Sequence, residues 1–316
     1  MLTPGKAGIV YHTGAGRGRA RALVPQVRQS LETAGWRVVD VEKTRWAGHA
    51  RSKLAPYLAE RSDLIVVVAG DGTLRGICAG LEAAAAQRVI GFVPTGNANV
   101  VARDQGIPLD AGAAIRLLTE GRIRRLDVGR LRRAPGRGDG SLFLAMVEVG
   151  FGARVVGLSH RWRHGKPGSL YRRWGDPLYL AAALRTLLSP GEPPLRVCPD
   201  GPVASFSAKA AIVANTRCYA KGWAMAPEAC MDDGRLDLVA RTETGPGVVL
   251  RAYYAAAGRR RPPTAFSRCC RGRRFLLQSE APLSVQLDGD PLPPLKWMQI
   301  DALPGRLPLI VPAGPG

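Results

Sequence analysis

The sequence predicts an N-terminal α/β domain built on a parallel sheet, followed by a mainly antiparallel β-sandwich domain. Three observations predict this. Apolar, β-branched runs alternate with helix-patterned stretches in the first part of the chain. Gly-rich breaks fall at the ends of the early strand runs. From Asp127 onward, short strand runs alternate with turns instead. At 316 residues the chain is long enough for two domains, each with its own core.

In chain order, residues 7–11 form a short apolar strand that runs into a Gly-rich turn, 12–18. Residues 20–33 read as a helix and 36–41 as a second strand. Residues 64–69 are an apolar run, β-branched from Ile65 to Val68, as suits a parallel strand buried on both faces. Gly70-Asp71-Gly72-Thr73 breaks it, and the Ala- and Leu-rich stretch 74–86 reads as a helix. A further strand, 88–93, is stopped by Pro94. This order calls for a parallel sheet with helices on both faces. In the second half, strands are expected at 127–131, 141–149, 208–214, 235–240, 275–277 and 283–287. One helix is expected at 177–188, a polar hairpin loop at 136–140 and an extended Pro-rich stretch at 190–202. The expected division gives residues 1–127, with the C-terminal segment 303–316, to the first domain and 128–302 to the second.

Lys plus Arg number 45 and Asp plus Glu 25, a net charge of +20. Such a chain favours polyanions: nucleic acid, an anionic lipid surface or phosphorylated substrates. No apolar run is long enough to span a membrane, and the first residues are too polar for a secretory core. Cys78, Cys198, Cys218, Cys230, Cys269 and Cys270 form no C-x-x-C pair and the four histidines are scattered, which argues against a zinc site or a disulfide framework. A cytoplasmic protein that visits membranes peripherally is the expectation.

Ala69-Gly70-Asp71-Gly72-Thr73 lies at the C-terminal end of a strand and the start of a helix, where ligands bind in open α/β sheets. Glycines admit a phosphate close to the backbone, and the helix start offers free N–H groups. Asp71 suits Mg²⁺ or a nucleotide phosphate held through it. The same residues also read as an Asp-Gly turn with Thr73 as a cap, which needs no ligand. Pro94-Thr95-Gly96-Asn97-Ala98-Asn99 follows the next strand, so two Gly-containing loops share one sheet edge. Arg103, just beyond, either reaches phosphate or is a solvated helix charge.

With these motifs the sequence resembles the diacylglycerol kinase catalytic family, which includes sphingosine and ceramide kinases and bacterial soluble lipid kinases. Its Gly-Gly-Asp-Gly-Thr motif is matched by residues 69–73, and its Pro-x-Gly-Thr-x-Asn-x-x-Ala-Arg motif by 94–103. Further matches are Asn215, Tyr219, Ala226-Pro227, Asp232-Asp233-Gly234-Arg235-Leu236-Asp237 and Asp288-Gly289-Asp290. The resemblance implies the two-domain architecture shared by NAD kinases and diacylglycerol kinases. It implies an ATP-dependent kinase that moves the γ-phosphate to the hydroxyl of a lipid such as diacylglycerol or a sphingoid base, with Mg²⁺. It also implies site residues: Ala69, Gly70, Asp71, Gly72, Thr73, Leu74, Arg75, Gly96 and Asn97 around ATP, with Thr44 a nucleotide contact after the second strand. Asp71 and Asp127 fall in the catalytic Mg²⁺ network and Asp290 in the place of the general base. Asp233, with the carbonyls of Cys230 and Arg235, matches a structural Mg²⁺ site. On this reading, Asp71→Asn should abolish transfer and leave thermal stability nearly unchanged.

The sequence departs from the family pattern at Ala69, Asn97, Arg75-Gly76 and Asp290. Asp290 replaces a Glu and is shorter by about 1.5 Å, which bears on its reach to a substrate hydroxyl. Asp288-Gly289 is equally a type I′ hairpin signal, so that Asp290 flanks a turn. Asp232-Asp233-Gly234 and Asp127 have comparable structural readings. The alternatives are a non-catalytic lipid- or nucleotide-binding homologue and an NAD kinase-like enzyme. Residues 160–166 and 171–174 interleave basic and aromatic residues, suiting an anionic membrane surface or single-stranded nucleic acid. No nucleic-acid recognition motif is present, so none is expected as a partner. The expected partners are a membrane lipid and its anionic surface, and a homodimer stays open.

Overall fold

The computed structural model describes residues 3–314, apart from 15–17, 137–139, 165–174, 190, 220–222, 244, 246, 250, 252–253, 255–257 and 259–265. The Tyr171–Trp174 cluster and part of the two Gly-rich turns therefore lie outside the described residues.

The first half is the expected α/β unit. Strands β1 (Lys6–His12), β2 (Arg37–Thr44), β3 (Leu64–Ala69) and β4 (Val89–Pro94) pair in parallel in the order β4-β3-β1-β2. All six residues of β3 are buried, so this strand takes only apolar side chains. Edge strand β2 is half-exposed and mixes Val with charge. Helix α1 (Arg19–Thr33) and helix α5 (Ala111–Glu120) cover one face, with Val27, Leu31, Ile115 and Leu118 buried against Ile9, Val66 and Val68. On the other face a π-helical turn, Ala50–Leu54, leads into α2 (Ala55–Arg61), and α3 (Asp71–Ala83) packs beside it. The short α4 (Val100–Asp104) follows the second loop.

The second half is mainly antiparallel. β5 (Arg122–Arg132), β6 (Ser141–Phe143), β7 (Met146–Val149), β8 (Leu195–Pro199), β9 (Phe206–Ala208), β10 (Ala210–Ala214), β11 (Cys218–Tyr219), β12 (Trp223–Ala224), β13 (Leu236–Arg241), β14 (Ser267–Gly272), β15 (Arg274–Leu287) and β16 (Asp290–Val311) make it up. Helices α6 (Phe151–His164) and α7 (Gly175–Leu187) interrupt the strands and pack on each other. Leu131, Phe143, Val147, Val213, Leu238, Phe275 and Ile300 centre a second core.

Several sequence expectations shift, each for a physical reason. Residues 141–149 are two strands, because the N–H groups of Leu144, Ala145 and Met146 turn to a carboxylate instead of a neighbouring strand. The two expected strands 275–277 and 283–287 are one, β15, carried through register shifts around Leu283. β16, whose five prolines break any alternating pattern, was not expected as a strand. Pro304 and Gly305 (φ 63°) fall in its register shift between Leu303 and Leu307, where a missing N–H costs little. β16 pairs with β15 at its start and with β5 and β4 further on, so a single sheet runs through both halves of the chain.

Candidate active site

The two Gly-containing loops meet backbone to backbone. A Cβ on Gly70 would stand 3.1 Å from the Cα of Gly96, and a Cβ on Gly96 only 2.7 Å from the Cα of Gly70. A side chain at Gly96 would force the backbones apart, and one at Gly70 would be tight against the facing loop, which accounts for both glycines. Gly72, by contrast, faces open space at the start of α3, where helix N–H groups have no intrahelical partner.

Asp71 ties the loops together. Its carboxylate accepts the N–H groups of Val100 (3.0 Å) and Val101 (3.2 Å), fixing the start of α4. Burial pushes its pKa up; the two N–H bonds oppose that, and the nearby Asp288 charge adds to it. The Thr95 hydroxyl and the Asn99 amide oxygen are buried in the second loop without a hydrogen-bond partner. Asn99 holds a left-handed backbone (φ 48°) and donates to the Gly96 carbonyl. Unmatched buried polar atoms of this kind suit a polar ligand. Ala69 ends the buried β3 and Leu74 is core, so they support the loop from behind; Asn97 is exposed and Thr73 half-buried. Thr44, at the end of β2, bonds His12 Nδ1 (2.6 Å) at the end of the paired strand β1.

The hairpin between β15 and β16 reaches the same place. Asp288 (φ 50°) and Gly289 (φ 88°) have the left-handed pair of a type I′ turn, as the turn reading required. The turn reading was incomplete, because the Asp288 side chain is buried. Its carboxylate accepts the N–H groups of Leu144 (2.8 Å), Ala145 (2.8 Å) and Met146 (2.9 Å). Burial raises its pKa against the pull of Arg75 and those donors. Behind it, Gln286 links Glu148 (3.1 Å) to the Gly289 N–H (2.7 Å). Arg75, from α3, crosses to this hairpin. It donates to the Leu287 carbonyl (3.0 Å) and to Asp290 Oδ2 (2.5 Å), and lies 3.7 Å from Asp288. Asp290 itself is 60% exposed in its side chain. The sequence flagged Asp290 and Arg75 but missed Asp288, Glu148 and Gln286 as the hairpin's supports. An Asp-Gly pair signals a turn whether or not its carboxylate is buried.

The Asp127 carboxylate is spent on two other turns. It accepts the Gly234 N–H (2.6 Å) and the Gly305 N–H (2.8 Å), and the Asp127 N–H bonds the Met231 carbonyl. Burial again raises its pKa. Asn215, fully buried, donates to the Asp127 carbonyl and the Leu144 carbonyl, both at 2.9 Å. Asp233 accepts the Arg235 N–H (2.9 Å), while Arg271 lies 3.5 Å from its other oxygen. Arg271 also holds the Glu228 carbonyl (2.6 Å) and Asp237 (3.2 Å). Cys230 donates to Asp232 (2.9 Å), which Arg124 also engages. Among the described residues, no group of three His, Cys, Asp or Glu side chains could hold a metal ion. The positive charge beside Asp233 comes from the Arg271 guanidinium, next to the turn that carries Cys230 and Arg235. Arg103 donates back to the Ala98 carbonyl (3.0 Å) and braces its own loop.

Residues 6–131 match the family of the diacylglycerol kinase catalytic domain, and residues 145–311 match the YegS C-terminal NAD kinase beta sandwich-like domain. A Pseudomonas putida protein named "Probable lipid kinase YegS-like" is 30% identical over 98% of this chain and 96% of its own length. The chain belongs to the YegS-like lipid kinase family. A diacylglycerol kinase of Staphylococcus saprophyticus is 24% identical over 74% of this chain and 72% of its own. Among solved structures, a diacylglycerol kinase of Bacillus anthracis has a TM-score of 0.72 at 20% identity, covering 98% of this chain and 97% of that one. Yeast NADH kinase has a TM-score of 0.50 at 10% identity, covering 99% and 85%. These two show a shared fold and nothing finer.

Proposed function

We propose that this lipid kinase family member transfers the γ-phosphate of ATP to the hydroxyl of a membrane lipid such as diacylglycerol or a sphingoid base. The observation that carries the proposal is the Arg75 bridge, which sets the exposed Asp290 beside the helix that opens at the first glycine loop. The candidate phosphate loop and the candidate base are then joined through one helix, α3. The α3 N-terminus, the open side of Gly72 and the unpartnered Thr95 and Asn99 oxygens suit the nucleotide phosphates. Thr44, Thr73 and Asn97 extend the nucleotide contacts.

A carboxylate has about four acceptor sites, and the Val100 and Val101 N–H groups use two on Asp71. Asp71 could therefore hold Mg²⁺ as well as its loop. When bound, the ion would neutralise phosphate charge. Asp290 takes the proton of the lipid hydroxyl, and Arg75 fixes the direction of its carboxylate. Asp127 acts at a distance, holding the Gly234 and Gly305 turns in place. Catalysis is then mostly positioning and charge neutralisation. The protein would work at the cytoplasmic face of a membrane, as a peripheral enzyme.

The test is transfer of labelled γ-phosphate to mixed micelles of candidate lipid alcohols, with NAD in parallel. Label in a lipid is expected. Label in NAD alone makes this an NAD kinase, and bound ATP with no label anywhere makes it a non-catalytic homologue.

A further inference from the structure

Helix α3 carries glycines at every fourth position along one face: Gly72, Gly76 and Gly80. The two further into the helix are covered by the turn that follows β2. A Cβ on Gly76 would stand a tight 3.0 Å from the Ala50 Cβ, and one on Gly80 would run into the Arg51 carbonyl and the Ala55 side chain. The missing side chains let this turn lie close against α3. From Ala50 to Ala55 the chain descends α3 from Gly76 to Gly80, so, traced backwards, residues 46–49 rise toward Gly72. A Cβ on Gly72 would meet nothing within 4 Å. Space is therefore left beside the first turn of α3, next to residues 46–49.

Trp46 opens that segment. It is 55% exposed, yet its ring is not free: it stacks on His49, with ring centroids 3.8 Å apart and 29° between the planes. His49 is buried and doubly pinned. Its Nδ1 accepts the Arg45 N–H (3.1 Å), and its own N–H bonds the Trp46 carbonyl (3.1 Å). A single exposed apolar side chain is ordinary. One braced from behind by a buried ring, with its outer face open, is pre-organised for a flat partner. Thr44, two residues earlier, ends β2, which lies two strands from β3. At about 4.8 Å per strand the two strand ends are about 10 Å apart. That separation suits a ribose and base extending sideways from phosphates held at Gly70 and Gly72.

We infer that the Trp46 ring, braced by His49, is the platform on which the purine base of the nucleotide stacks. The inference rests on the reading of the glycine loops as a nucleotide phosphate site, and adds the residue that selects the base. Stacking uses the π-face that every base has, and the wider face of a purine covers more of the indole. The platform therefore favours purines over pyrimidines and discriminates little between adenine and guanine.

The experiment is calorimetric titration of the full chain, in Mg²⁺, with ATP, UTP and inorganic tripolyphosphate. Wild type should bind ATP more tightly than UTP. Removing an aromatic platform under one base weakens binding on the order of tenfold. Trp46→Ala should therefore raise the Kd for ATP about tenfold, erase the preference over UTP and leave tripolyphosphate binding unchanged. Trp46→Phe keeps an aromatic face and should recover most of the loss. Both variants should melt like wild type, because Trp46 is exposed. Unchanged ATP affinity in Trp46→Ala overturns the inference, as does equal wild-type affinity for ATP and UTP. An equal loss for tripolyphosphate also overturns it, since the turn would then only shape the phosphate site. Wild type that binds tripolyphosphate as tightly as ATP refutes the platform and leaves the phosphate site standing. Wild type that binds none of the three ligands refutes the nucleotide reading itself, so the two failures are distinguishable.

Discussion

Replacing Asp288 tests the hairpin most directly. Its side chain accepts three successive backbone N–H groups at 2.8–2.9 Å and lies 3.7 Å from the Arg75 guanidinium. Each hydrogen bond to a charged group is worth roughly 1.5–3 kcal/mol, and a buried donor left unpaired costs about 1–3 kcal/mol. Such terms do not add, and losing one partner of a buried ion pair typically costs about 3–5 kcal/mol. Asp288→Ala should therefore destabilise by about 4 kcal/mol, a large share of a typical stability of about 5–15 kcal/mol. Asp288→Asn keeps one acceptor oxygen for the donors and should lose about half as much, roughly 2 kcal/mol. Urea unfolding at neutral pH reads both values. Turnover should fall in the folded Asn variant as well, since Arg75 and Asp290 are held through this turn. A loss under about 1 kcal/mol in the Ala variant would show that the three N–H groups find other partners, and the hairpin argument would fail.

Asp71→Asn should abolish phosphoryl transfer, and, unlike the expectation from sequence, it should also cost about 1–2 kcal/mol because the amide cannot accept both α4 N–H groups. Burial raises the folded pKa of Asp71 above its unfolded value, so its proton-linked contribution is present at low pH and is lost as pH rises through the folded pKa. The stability gap between wild type and Asp71→Asn should thus widen as pH falls toward the unfolded carboxylate range; a narrowing gap would mean the N–H bonds outweigh burial. Asp290→Asn should cut turnover by roughly 10²–10⁴, while Asp290→Glu and Arg75→Ala separate reach from direction; no change in any of the three would reduce Asp290 to a turn residue. Arg271→Ala should lower the melting temperature and Mg²⁺ should not alter the wild-type melt, because Arg271 already neutralises Asp233 and Asp237. A melt that rises with Mg²⁺ and loses that response in Asp233→Ala would restore the ion.

Local pattern found the four parallel strands of the first half, though not α2 or α5. A short apolar run with four successive β-branched residues, bounded by a Gly break, such as 64–69, reads as a strand buried on both faces, and Gly70 and Gly96 carry their meaning in their missing side chains. Pattern failed where partners are far apart in sequence. The strand break at Leu144 and Ala145 exists because Asp288 draws their N–H groups away, from 144 and 143 residues along the chain. β16 forms despite its prolines because β15, β5 and β4 surround it. The bond from Arg75 to the hairpin was likewise unreadable from the sequence, where Arg75 stood as an ATP contact by resemblance and as a departure from the motif. Only the fold brings the β15–β16 hairpin within reach of α3. The sequence determined which residue types lie at the ends of the strands; the tertiary structure decided which carboxylates are spent on backbone N–H groups and which, like Asp290, stay exposed beside a guanidinium.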